Sequence, residues 1–136
     1  MVLTWSQTAF SQAFTFTSGQ LTYNENFDVM GAAGTTYPTG WTGVRYAGSG
    51  AIGAILTPVA GNGSGNSGAV YNVGTTAVDE RALGTLASGS TMPRIGAFFA
   101  NNTGGNIAQV SLSGIMEQWR SVSIATVTEI CAFEFS

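Results

Sequence analysis

Turn-forming residues divide this 136-residue chain into short segments, and that punctuation limits what it can fold into. Good helix formers rarely cluster, whereas glycine occurs 19 times and Thr, Ser and Val are frequent. Short β-prone runs separated by turns at regular intervals are typical of an all-β sandwich or barrel. We therefore predict an all-β, two-sheet antiparallel β-sandwich with strands at residues 9–17, 20–24, 43–46, 51–56, 69–73, 81–86, 95–100, 107–114, 116–120 and 127–135.

The length and composition predict one domain over residues 1–136. Hydrophobic residues make up 44% of the chain, which is enough for a continuous core. Neither an internal repeat nor a linker divides the sequence. The run GNGSGNSG at residues 61–68 is flexible by composition, and we expect it to form a loop that rims a binding face. A phosphate loop is not expected there, because the Walker pattern needs a lysine and the chain has none.

Charge is scarce, and this excludes several classes of partner. Only 8% of residues are charged, against roughly 25% in an average soluble domain. The chain lacks Lys and His, its net charge is −3, and its cations are Arg45, Arg81, Arg94 and Arg120. Nucleic acid and anionic membrane surfaces need clustered cations, so neither is expected as a partner. A neutral surface of Ser, Thr, Asn and Gln suits an extracellular protein with a neutral ligand.

Most catalytic chemistry is unavailable to this composition. Without His there is neither a catalytic triad, nor a Cys–His pair, nor a zinc site of the usual ligands. Cys131 is the single cysteine, so no intrachain disulfide forms and we expect a small buried hydrophobe. The seven acids show no spacing that indicates a glycosidase pair. We expect no enzyme, with a small hydrolase as the weakest alternative.

The run NIAQVSLSGIMEQWR at residues 106–120 alternates apolar and polar positions. In one extended segment, successive side chains point to opposite faces. The even positions then face the core: Ala108, Val110, Leu112, Gly114 and Met116. The odd positions face outward, which places Glu117 and Trp119 side by side. The alternative is a bulge at Gly114 that reverses the register and buries Trp119.

An exposed tryptophan beside a carboxylate suits a sugar ligand. Trp119 offers a surface for the apolar face of a pyranose, and Glu117 accepts from its hydroxyls. Gln118 and Arg120 are candidate donors in the same segment. Trp41 and Tyr46 are further candidate ligand contacts. Trp41 lies in a turn-rich segment and either rims a binding face or plugs the end of the sandwich.

The remaining charged residues suggest structural roles. An ion pair of Arg81 or Arg120 with Glu117 or Asp79 would either orient ligand contacts or form a partly buried network. Three acids, Glu25, Asp28 and Glu134, are weak candidates for a structural calcium site, since calcium prefers oxygen ligands. Their spacing matches no specific calcium motif.

Several runs resemble a domain found in secreted multidomain proteins of environmental bacteria. They are ENFD (25–28), PTGWT (38–42), GNSGAVYNVG (65–74), DERALGTLASGS (79–90), IGAFFANNTG (95–104) and MEQWR (116–120). The Arg-Ala-Leu-Gly and Glu-Gln-Trp-Arg parts are the most specific, although this chain has Met116 where the family tends to have Gly. Such domains resemble jelly-roll carbohydrate-binding modules. The resemblance implies a non-catalytic module that holds a larger secreted enzyme on polysaccharide, and we expect this module to be a monomer. The scarcity of charge favours a neutral polysaccharide, and β-glucan or cellulose-type chains are the expected ligands.

The competing interpretation is a structural or adhesive spacer that binds no sugar. Open rings at Trp119, Trp41 and Tyr46 would favour sugar binding, and buried rings would favour the spacer. Residues 1–20 lack the basic and apolar regions of a signal peptide. The expectation that the protein is secreted therefore rests on composition and resemblance and not on a visible signal. No run approaches the roughly 18 apolar residues of a membrane span.

Overall fold

The computed structural model describes residues 12–120 and residue 134. Within them, regular structure consists of seven β-strands and a short 3-10 helix, Asp28–Met30. The strands are β1 (Phe14–Thr17), β2 (Trp41–Ala47), β3 (Val59–Gly61), β4 (Ala69–Val73), β5 (Ala82–Leu86), β6 (Met92–Ala97) and β7 (Phe99–Asn102). The prediction of an all-β fold is confirmed.

The strands form three small sheets with mixed pairing. β2 pairs antiparallel with β6, and β4 pairs antiparallel with β5. β1 pairs parallel with β7, and β3 pairs parallel with β4. The pairing among the described residues therefore differs from the wholly antiparallel arrangement that we expected, because local alternation indicates a strand without indicating its partner.

The glycine-rich residues 62–68 explain how β3 and β4 run parallel although they follow each other closely. Parallel neighbours usually need a crossover of a dozen or more residues. Here the Asn62 side chain accepts hydrogen bonds from the amide of Ser64 at 3.2 Å and from its hydroxyl at 2.6 Å. Gly63 adopts φ 85°, a left-handed conformation that glycine tolerates best. The loop that starts with this turn returns the chain to the beginning of β3, so that β4 runs beside it in the same direction.

Several predicted strands are absent from the described structure. Residues 20–24 and 51–56 contribute only isolated bridges, Thr17–Gln20 and Val44–Ile55. Residues 107–114 and 116–120 form no strand, and they pair with none of the described strands. Val110, Leu112 and Met116 are consequently exposed, and their predicted burial in the core is wrong. The strand predicted at 127–135 and the buried Cys131 lie outside the described residues, which here include only residue 134.

The centre of the described fold is partly polar. Val70, Val73 and Met30 are buried, and Pro58 lies fully inside with them. Arg81 is only 5% exposed, and Asn72, on β4, is 0% exposed. A buried charge is costly unless hydrogen bonds compensate it. The contacts of these two residues therefore decide how the core is built.

The guanidinium of Arg81 is held by carbonyl oxygens. Its Nε donates to Oδ1 of Asn72 at 2.8 Å, and one terminal nitrogen donates to the backbone carbonyl of Asn72 at 2.6 Å. That nitrogen also reaches the carbonyl of Gly61 at 3.3 Å. The other terminal nitrogen reaches the carbonyls of Thr75 at 3.3 Å and Val78 at 3.5 Å. β3, β4 and the connection to β5 thus converge on one side chain.

Asn72 extends this network to the segment that follows the 3-10 helix. Its amide nitrogen donates to the carbonyls of Gly31 and Gly34, each at 2.9 Å. The backbone amide of Arg81 also donates to Oδ1 of Asp28 at 2.9 Å. Residues 28–34 are thereby fixed against β4 and β5. We call Arg81, Asn72 and their carbonyl partners the arginine network.

Replacing Asn72 with Ala should destabilise the domain strongly. The change leaves one buried N–H of Arg81 and two half-buried carbonyls, those of Gly31 and Gly34, without their partners. Each unsatisfied buried group costs about 1–3 kcal/mol, so we expect the free energy of unfolding to fall by about 3 kcal/mol or more. Urea denaturation measures this loss. The control is Asn66→Ala, at an exposed position, which should cost less than about 0.5 kcal/mol. Equal losses for the two variants would contradict the role of the network.

Candidate functional site

The segment that carries Glu117 and Trp119 has no regular secondary structure and is exposed along its length. The indole Nε1 of Trp119 donates to Oε2 of Glu117 at 2.7 Å. Trp119 keeps 39% of its surface exposed. The two side chains therefore lie side by side, although the strand from which we expected this is not formed, and the hydrogen bond fixes the orientation of the indole relative to the carboxylate. Gln118 is exposed on the same segment.

The loop at residues 62–68 contacts this segment at two points. The guanidinium of Arg120 donates to the carbonyl of Gly65. A Cβ atom on Gly63 would lie 2.7 Å from the carbonyl oxygen of Trp119, which is closer than real contacts allow. Only glycine therefore permits this approach, and the glycine-rich loop lies directly beside the candidate binding pair.

The ion pairs expected of Arg81 and Arg120 are not formed with Glu117 or Asp79 in the described structure. Glu117 accepts from the indole instead, and Arg120 donates to a backbone carbonyl. Arg81 uses the carbonyls of the arginine network. The described ion pair joins Arg94 to Glu134 at 3.0 Å.

Trp41 is half-buried at the start of β2. The Phe27 ring packs edge-on against it, with the ring centroids 4.8 Å apart and an interplanar angle of 76°. Its Nε1 donates to the hydroxyl of Tyr23 at 3.0 Å. These contacts agree better with the plug alternative than with an open ring at a binding rim.

Tyr46 lies towards the other end of β2 and is 52% exposed. The guanidinium carbon of Arg94 lies 3.3 Å from the centroid of its ring, a cation–π arrangement that covers one face. Arg94 is in turn held by Glu134. Trp41 and Tyr46 therefore contact different partners at separate ends of one strand.

The three calcium candidates have other partners. Glu25 accepts from the amide of Phe27 at 2.7 Å and from the hydroxyl of Tyr23 at 3.1 Å. Asp28 accepts from Asn26 at 2.6 Å as well as from the arginine network. Glu134 pairs with Arg94. The described residues contain no group of three or more His, Cys, Asp or Glu side chains placed to hold a metal ion.

A groove of about 560 Å³ lies beside β1 and the segment that precedes β2. We call it the tyrosine groove, and its walls include Phe14, Tyr23, Glu25, Val29, Thr36 and Tyr37. Sequence reasoning missed it, because its residues come from separate turns and are individually unremarkable. The signal available was the concentration of aromatic residues around the ENFD and PTGWT runs.

The walls of the tyrosine groove are held rigidly. The ring of Tyr23 packs on Phe14, with centroids 4.4 Å apart. The hydroxyl of Tyr37 donates to the carbonyl of Leu56 at 2.5 Å. A Cβ atom on Gly43 would collide with that hydroxyl, so glycine on β2 makes room for it. Burial raises the pKa of Tyr37 to about 12, and burial is also the largest cause that raises the pKa of Tyr23.

Phe27 carries backbone strain next to the groove. Its φ is 68° and its ψ is 0°, a left-handed conformation that is a genuine outlier for a bulky residue. Such a conformation costs about 1–3 kcal/mol and persists only where surrounding contacts impose it. Here the Glu25 carboxylate accepts from the Phe27 amide, and the Phe27 ring packs on Trp41. The strained turn thus holds Glu25 at the groove.

Comparison of the chain with protein-family models, curated proteins and solved structures finds no match. Among the described residues, no helix has the length and apolar character that a membrane span requires.

The raised pKa of Tyr37 makes part of the stability sensitive to alkali. A phenol with pKa 10.0 when unfolded and about 12 when folded stabilises the fold below pH 10. That contribution is lost as the pH rises from about 10 to about 12. Urea denaturation measures the free energy of unfolding across this range, and that free energy should fall less for Tyr37→Phe than for the unsubstituted protein. Below pH 10 the variant is the less stable of the two, because it lacks the hydrogen bond to Leu56. Parallel losses in the two proteins would contradict the assignment.

Proposed function

We propose that this chain is a non-catalytic carbohydrate-binding module with a jelly-roll β-sandwich fold. Its ligand is a neutral polysaccharide, with β-glucan or cellulose-type chains favoured. The observation that carries the proposal is the pairing of Trp119 with Glu117 on an exposed segment. An indole face binds the apolar face of a pyranose, and a carboxylate beside it accepts from the hydroxyls at the sugar's edge.

The distribution of positive charge supports a neutral ligand. Each of the four arginines has intramolecular partners. Arg45 donates to the hydroxyl of Thr91 and to a backbone carbonyl. Arg81 is buried in the arginine network, Arg94 lies between Tyr46 and Glu134, and Arg120 donates to Gly65. A uronic-acid polymer, a nucleic acid or an anionic membrane would need clustered, accessible cations, so we propose none of them as a partner.

The proposed module acts as a monomer within a larger secreted enzyme and performs no reaction itself. A hydrolase would need two carboxylates across a cleft. In the described structure Glu25 and Asp28 accept from backbone amides, Glu117 accepts from an indole and Glu134 accepts from an arginine. The carboxylates with described partners thus hold the chain in place.

A spacer domain is the second candidate, and the packing of two aromatic side chains favours it. Phe27 contacts the Trp41 ring, and Arg94 covers one face of Tyr46. A spacer would hold such rings against its own chain and would bind no polysaccharide. Trp119 distinguishes the two functions. In a sugar-binding module its exposed ring contacts the ligand, whereas in a spacer it contacts none.

Replacing Trp119 with Ala should abolish retention on a β-glucan affinity gel. Losing the indole surface removes about 1–3 kcal/mol of binding free energy, a tenfold to hundredfold weakening. Glu117→Gln should weaken binding less, because an amide oxygen still accepts from one hydroxyl. Affinity electrophoresis with soluble β-glucans measures both effects. The thermal midpoint should stay nearly unchanged in each variant.

The matched control is Ile115→Ala on the same exposed segment, where the side chain is 92% exposed. It should bind like the unsubstituted protein. If the unsubstituted protein is not retained on any neutral polysaccharide, the spacer is the better function. If Trp119→Ala melts the domain, Trp119 belongs to the core and the site assignment is wrong.

A further inference from the structure

The tyrosine groove has the chemistry of a second sugar site. Its volume of about 560 Å³ falls within the roughly 300–1,000 Å³ range of ligand pockets. Aromatic side chains form part of its wall, and Val29 and Thr36 are exposed at its edge. An apolar wall with a few polar groups is the usual composition of a small-molecule site.

The polar group that faces the groove is a positioned acceptor. Glu25 uses its oxygens to accept from the Phe27 amide and the Tyr23 hydroxyl. An ionised carboxylate has about four lone-pair sites, so it can accept further bonds from ligand hydroxyls. Phe27 is strained in the conformation that these contacts impose.

Charge selects the class of ligand. Among the residues that line the groove, Glu25 is the charged one and no cation accompanies it. An anionic ligand would be repelled, while a ligand with many hydroxyl groups and apolar C–H faces meets both the carboxylate and the rings. Because Tyr23 and Tyr37 are already fixed by hydrogen bonds, little conformational entropy is lost when a ligand binds.

We propose that the tyrosine groove binds sugar units of a neutral polysaccharide as a second subsite, separate from Trp119 and Glu117. This rests on the proposed function, since it takes the same class of ligand. Where one polysaccharide chain is long enough to reach both subsites, the second contact is intramolecular and the chain is held more tightly than by either subsite alone. Groove binding therefore contributes most to long oligosaccharides and polymers.

The test uses titration calorimetry of the intact chain with β-glucan oligosaccharides of increasing length. Thr36→Met fills the groove from an exposed position without adding an aromatic ring. Thr85→Met, at an exposed threonine on β5, is the matched control. Glu25→Gln removes the charge and keeps one oxygen that can accept from the Phe27 amide, while an amide nitrogen replaces the oxygen that accepts from the Tyr23 hydroxyl. We expect Thr36→Met and Glu25→Gln to weaken binding of a hexasaccharide about fivefold or more, the loss expected for one or two hydrogen bonds. Thr85→Met should bind normally.

The outcomes separate this proposal from the proposed function. If Trp119→Ala weakens binding and neither groove variant does, the second subsite is wrong and the module remains. If the unsubstituted protein binds no β-glucan oligosaccharide, both fail together. If sedimentation shows a dimer that Thr36→Met abolishes, a second copy of the chain occupies the groove and the sugar subsite is overturned.

Discussion

The buried contact between Arg81 and Asn72 is the interaction on which the described fold depends. A guanidinium has five N–H donors in a fixed plane, and here it meets the Asn72 side chain and carbonyls from β3, β4 and the β4–β5 connection. Since few apolar side chains are buried among the described residues, these bonds supply geometric constraints that a larger core would otherwise provide. Asn72 then transmits the constraint to residues 31–34.

This arrangement explains why a chain so poor in charge keeps a buried cation. Removing either partner leaves a buried charge or buried carbonyls without hydrogen bonds, which costs more than the contact contributes. Gly74 supports the site because a Cβ atom there would lie 2.5 Å from a terminal nitrogen of Arg81. The strained turn at Phe27, which holds Glu25, and the glycine-rich loop beside Trp119 each adjoin a residue that contacts Arg81.

The sequence predicted the strands with the strongest local pattern. β4 was expected at residues 69–73 and has those bounds, and β5 differs from its expected range by one residue. β3 was missed because three residues after a buried proline carry too short a pattern. Parallel pairing could not be predicted, because alternation is the same in both kinds of sheet. Residues 107–120 show that alternation alone does not ensure a partner strand.

The candidate site was predictable only where neighbours in sequence are neighbours in space. Glu117 and Trp119 lie two residues apart and contact each other through a hydrogen bond, although the segment that carries them forms no strand. The tyrosine groove joins residues from β1 and from the segment that precedes β2, so the concentration of aromatic residues in that segment was the one signal that could have indicated it. The ion pair expected near Arg81 was wrong because composition indicates charge and not the carbonyls that surround it.

The most direct measurement is a nuclear magnetic resonance titration of the nitrogen-15-labelled protein with a β-glucan hexasaccharide. We predict that the indole N–H signal of Trp119 shifts in a saturable way, because the sugar stacks beside its bond to Glu117. The shift should be the same at low and high salt, since the ligand carries no charge. An indole signal of Trp119 that stays unchanged at saturating sugar would contradict the proposed binding site.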